Sequence, residues 1–89
     1  MQFMTVFTFE PDKRDAVVKR RMEHGIQMPA GLKLLGQWSY IGGGRVFMLV
    51  ESDDPASLLA RARTVSDLGK FDIYPVMETE EALKLIASK

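Results

Sequence analysis

Three consecutive glycines, Gly42, Gly43 and Gly44, stand between two apolar runs, residues 32–41 and 45–51. Glycine reaches the positive φ angles that a tight reversal needs, so the two runs are predicted to form the arms of a β-hairpin. In the first arm the even positions carry Leu32, Leu34, Trp38 and Tyr40, while the odd positions are more polar. Upstream, residues 2–9 are rich in Phe, Val and Thr with no helical stripe, and Glu10-Pro11 ends them, so a strand passes into a helix start. From Pro11 to His24 the residues are good helix formers, with Asp12 and Asp15 early, Lys19, Arg20 and Arg21 later, and Gly25 as a C-terminal cap. Downstream, Asp53-Asp54-Pro55 is a helix-start signature. Leu58, Leu59, Ala62 and Val65 follow at helical spacing, and Gly69 closes that helix. Residues 70–77 alternate Phe71, Ile73 and Met77 against Asp72 and Tyr74, with Pro75 confining the strand to a sheet edge. A short helix over residues 78–87 follows.

The resulting order, β-α-β-β-α-β plus a helix, is the ferredoxin-like split βαβ pattern of an α+β fold with a four-stranded antiparallel sheet. Strands one and three are expected at its centre, since residues 3–9 and 46–50 are mostly apolar on both faces. At 89 residues the chain is expected to form one domain, 1–89. A domain of this size buries only roughly 60–65% of its unfolded surface. No cysteine is present to add cross-links, which also removes thiolate metal sites and points to a reducing compartment. Two helices cover only one sheet face. The other is expected to pack against a second copy, giving a homodimer through sheet faces, a dimeric α+β barrel.

Twelve basic and twelve acidic residues balance to a net charge of zero, so the basic excess that phosphate backbones require is missing and nucleic acid is not an expected partner. The opening MQFMTVFTFEPDKR has no basic stretch before its apolar run and no small-residue cleavage site, so it does not read as a signal peptide. No apolar run approaches the roughly 20 residues that cross a bilayer. A cytoplasmic protein without membrane contact is the expectation.

The runs WSYIGGGRVFMLVESDDPASLL and SDLGKFDIYPVMETEEALKLI, with EPDKRD and PAGLKLLGQW before them, resemble the small proteins grouped as domain of unknown function 3303, near the GYD-type and other dimeric α+β barrel families. The resemblance spans nearly the whole chain and implies the fold more than the chemistry. It also implies a superfamily that holds small monooxygenases, isomerases and haem-using enzymes beside members without assigned activity. A Trp that often precedes the Ser-Asp-Leu element in that family is Val65 here.

The residues themselves offer several candidates for a site. His24, the only histidine, lies four residues after Arg20 on one helix face and reads as an acid, base or axial ligand in a pocket, or as a helix-end residue on terminal carbonyls. No second histidine or thiolate accompanies it, so no metal and no cofactor is predicted. Among Arg20, Arg21, Arg45, Arg61 and Arg63, Arg45 after the glycines is the foremost candidate to clamp a carboxylate or phosphate. The glycines read as a hairpin turn before an anion-binding nest. Trp38 and Tyr40 could line a pocket or an interface. Asp67 sits unfavourably at a helix end unless it finds a partner or a function. Met22, Met28 and Met77 read as flexible filler.

The leading expectation is a homodimeric small-molecule-binding domain, with Phe7, Phe9, Trp38 and Tyr40 lining a pocket between helices and sheet. Arg20, His24, Arg45 and Asp67 are its polar candidates. The alternatives are a cofactor-independent monooxygenase- or isomerase-like enzyme using His24, and a structural interaction module.

Overall fold

In a computed structural model, which describes residues 1–88, four seven-residue strands form one antiparallel sheet. These are β1 (Gln2–Thr8), β2 (Lys33–Ser39), β3 (Arg45–Glu51) and β4 (Lys70–Val76). The sheet order is β2-β3-β1-β4, so the two strands that are apolar on both sides are central and the Pro75-bearing strand is an edge. This is the ferredoxin-like order, with helices α1 (Arg14–His24) and α2 (Pro55–Arg63) as the crossovers and α3 (Thr79–Ala87) after the last strand.

Local chemistry explains the element boundaries. Pro11 opens a single 3-10 turn, Pro11–Lys13, that runs into α1. Gly25, at φ 64°, ends α1 and returns its N–H to the Arg21 carbonyl at 2.8 Å. Gly43 and Gly44, at φ 87° and 84°, turn the chain between β2 and β3. The Asp54 carboxylate accepts the Ala56 N–H at 2.9 Å and Pro55 takes the first position of α2, as the Asp-Pro signature predicts. Gly69 is needed for a different reason: a Cβ there would collide with the Thr8 carbonyl oxygen where the chain enters β4 beside β1.

The core lies between the sheet and its helices. Leu32, Met48, Val50 and Leu58 are buried together, with Phe3, Leu34 and Ile73 packed against them. On α2 the buried face is Ser57, Leu58 and Arg61, whereas Leu59, expected in the apolar stripe, is exposed. The apolar stripe therefore runs through an arginine. It does so because the guanidinium stem is hydrocarbon and packs like one.

Register decides which side chains share a face, since directly paired residues point the same way. Thr5 pairs with Met48 and Ile73, and Phe7 with Val46 and Phe71, on the helix side. Met4 pairs with Leu49 and Tyr74, and Val6 with Phe47, on the opposite side. A bulge between Leu34 and Gly36 switches β2 between the two: Leu34 joins Val50 on the helix side, while Trp38 joins Phe47 on the other. The Cα trace is only 17 Å thick in its shortest dimension, which corresponds to a sheet with one helical layer. α3 buries none of its residues, and Leu83, Leu85 and Ile86 on it are exposed.

Candidate functional site

Beneath α1, the crossovers and the sheet enclose a pocket of about 60 Å³. Its floor comes from the helix side of the sheet: Thr5 and Phe7 on β1, Val46 and Met48 on β3, and Phe71 on β4. Val17, Arg20 and Arg21 of α1 and the Gly25–Gln27 turn form one wall, and Arg61, Val65 and Leu68 form the other. The alternation of β1 and β3 puts Phe7 and Val46 here, and the i, i+4 and i+7 spacing of Arg61, Val65 and Leu68 carries the α2 face past the helix end.

Arg61 is the unusual group. Only 7% of its surface is exposed, yet among the described residues it forms no salt bridge. Its Nη1 donates to the Thr64 hydroxyl at 2.9 Å and, at 3.4 Å, to the Gln27 carbonyl. Its Nη2 reaches only the Met48 sulfur, 3.5 Å away, and its buried Nε has no partner among the described residues. The guanidinium carbon stands 5.8 Å from the Phe71 ring centroid, so the aromatic face offers partial compensation for the charge. Burial lowers the Arg61 pKa, and the like charge of Arg21 lowers it further.

The neighbouring arginines differ in their charge balance. Arg20 meets Asp67 through two parallel bonds of 2.7 Å each and also donates to the Thr64 carbonyl at 3.0 Å, tying α1 to the turn after α2. The hydrogen bond from Arg20 holds the Asp67 carboxyl down at about 2 and raises the Arg20 pKa in return. Arg21 donates to the neutral Gln37 side chain at 3.0 Å. Arg20 is thus neutralised in place, while Arg21 and Arg61 leave an excess of positive charge at the pocket.

Of the residues expected at a site, Phe7 and Arg20 line this pocket, and Asp67 reaches it through Arg20. Phe9 packs its ring on Phe7 with centroids 5.5 Å apart, just outside. His24 lies at the exposed end of α1, its Nε2 3.8 Å from Glu23 Oε2. Arg45 is exposed and shares the helix-free face with Phe47. Trp38 belongs to that same face, where its indole lies over Gly36, and Tyr40 lies against Gly42; both are more than half exposed. The β2 bulge is what separates Trp38 from the helix side of the sheet, where Leu34 packs against the core. Arg61 carries the site's charge although Arg45 is the more conspicuous in sequence. Its spacing from Leu58 and Val65 is the signal that could have found it.

Two larger hollows, of about 330 and 200 Å³, open elsewhere, one beside Pro75 and Glu81 and one beside Ser52 and Asp54. Their carboxylates, Glu78 and Glu81 in one and Asp53 and Asp54 in the other, are exposed. Among the described residues no three of His, Asp and Glu gather to hold a metal ion, and no helix is long and apolar enough to cross a membrane. No curated protein and no solved structure matches the chain. A family model does match, over residues 1–89, and the chain belongs to the family it describes, Domain of unknown function (DUF3303).

Proposed function

We propose that the protein is a cytoplasmic homodimer that binds a small anionic molecule in the pocket between α1, α2 and the sheet of each protomer. The observation that carries this reading is Arg61, a buried cation lacking an acidic partner among the described residues, beside a cavity. An arginine kept for stability alone would be expected to have a counter-ion, because an uncompensated buried charge is costly. The small cavity favours a compact ligand over one of drug size, which takes roughly 300 Å³ or more. α1 is the element that would admit it, since none of its residues is fully buried and side-chain bonds from Arg20 and Arg21 tie it down.

The dimer reading is supported by the face without helices. Met4, Val6, Phe47, Leu49, Trp38 and Tyr74 lie on it together. Four strands of seven residues make a sheet about 23 by 19 Å, or about 440 Å² in projection. A stable dimer buries about 800 Å² on each partner. The stripe Ala82, Leu83 and Ile86 on α3 supplies further apolar surface, and a second copy would cover both.

Native mass spectrometry of freshly purified protein, repeated under denaturing conditions, tests both parts at once. A dimer carrying extra mass that is lost on denaturation is the expected result. A stable monomer would overturn the dimer. A bare dimer that also takes up no added small anion would overturn the pocket.

A further inference from the structure

We propose that Arg61 is a bidentate carboxylate anchor and that the ligand is a short-chain monocarboxylate with an alkyl tail; this rests on the pocket reading above. Nε and Nη2 project from one edge of a guanidinium, the edge that meets both oxygens of a carboxylate through two parallel bonds. In Arg61 that edge has no oxygen on it: Nε is unpartnered, and Nη2 touches only the Met48 sulfur. The opposite nitrogen, Nη1, is held by Thr64 and Gln27, which fixes the plane of the group. The guanidinium is therefore oriented while its carboxylate-binding edge, buried and covered by Met48, has no oxygen partner. Met48 guards that edge with a flexible, weakly accepting thioether, which an anion can displace.

Charge and size narrow the class. With Arg20 neutralised by Asp67 and Arg21 bonded to a neutral amide, the pocket has positive charge to offer, and one fork suits one carboxylate. A volume of about 60 Å³, at about 10–15 Å³ for each water-sized site, holds about four to six heavy atoms. Acetate, propionate and butyrate fall in that range. Phe7, Val46 and Phe71 around the cavity suit an alkyl tail and disfavour a strongly hydrated dianion such as phosphate.

The test is a titration of the full-length protein with propionate, with neutral propanamide and with inorganic phosphate, followed by ¹H–¹⁵N NMR that includes the arginine Nε–H signals. Arg61→Lys and Arg61→Met are titrated in parallel. Propionate is expected to saturate the wild-type protein at millimolar concentration and to shift the Arg61 Nε–H resonance. Arg61→Lys keeps the charge and loses the fork, so its affinity is expected to fall by about tenfold or more. Arg61→Met is expected not to bind. Saturation with the Nε–H signal unmoved, equal affinity in Arg61→Lys, or a preference for phosphate would each overturn the assignment. Binding of propanamide without propionate would overturn both the carboxylate and the anion reading of the pocket. If none of the three binds, both the assignment and the pocket reading fail.

Discussion

Replacing Arg61 by Met is predicted to make the protein more stable. The substitution keeps an unbranched apolar stem of similar reach and removes a charge that is 7% exposed without an acidic partner among the described residues. What is lost is a 2.9 Å bond to Thr64, a long 3.4 Å bond to Gln27 and the contact with the Phe71 ring, together ~3 kcal/mol. Neither former acceptor is stranded, because the Thr64 hydroxyl also donates to the Arg61 carbonyl at 2.7 Å and Gln27 is exposed to water. What is relieved is the burial of an unneutralised guanidinium with one N–H unbonded, ~5 kcal/mol. The net gain is ~2 kcal/mol, which for a chain of 89 residues raises the melting midpoint by about 10 °C. Thermal and urea unfolding followed by circular dichroism measures it, with protomer concentration held fixed because a dimer's midpoint depends on it. Destabilisation by ~1 kcal/mol or more would refute the reasoning. It would mean that the bonds to Thr64 and Gln27 outweigh the burial penalty and that Arg61 is a structural residue.

Three further outcomes follow from the packing and charge. Gly69→Ala is expected to cost ~3 kcal/mol or to prevent folding, since its Cβ meets the backbone of β1, and the unfolding midpoint reports it. Val50→Ala removes two methyl groups from a side chain 1% exposed, ~1.6 kcal/mol of transfer energy, and with the cavity left behind ~2–3 kcal/mol in urea unfolding. Asp67 has its pKa lowered from 3.8 to about 2, so its contribution to stability is complete above the unfolded value and is lost as pH falls through the folded one. Acid titration of stability should therefore be shallower in Asp67→Asn than in wild type between about pH 4 and pH 2, and identical slopes would show that the Arg20 bridge does not persist in solution.

Much of the architecture was legible because its signals are local. Gly25 and the Gly42–Gly44 run, the Asp54-Pro55 cap and the acid-to-base gradient along α1 act over one turn of chain and need no tertiary context. The candidate site was legible in part. Phe7 and Arg20 were within reach of pattern reading, and the unfavourable position of Asp67 pointed to a partner, which is Arg20. Trp38 was harder, because alternation assigns it the side of Leu34 and one extra residue at the bulge reverses that. Leu59 was misassigned to the buried stripe for a related reason: hydrophobicity alone ranks Leu above Arg, whereas the face of α2 that meets the sheet runs through Leu58 and Arg61.

The amino-acid sequence by itself determined the succession of elements, the antiparallel β2–β3 hairpin and the edge position of β4, because turn chemistry, periodicity and the missing N–H of Pro75 are properties of neighbouring residues. Only the tertiary structure decided which of the six arginines is buried, which face Trp38 joins and where the cavity lies. Those depend on strand register and on the seating of α1 and α2 over the sheet, which bring Met48, Arg61 and Phe71 together from three elements. Burial is a property of that assembly, and a guanidinium's environment is set by residues far from it in the chain.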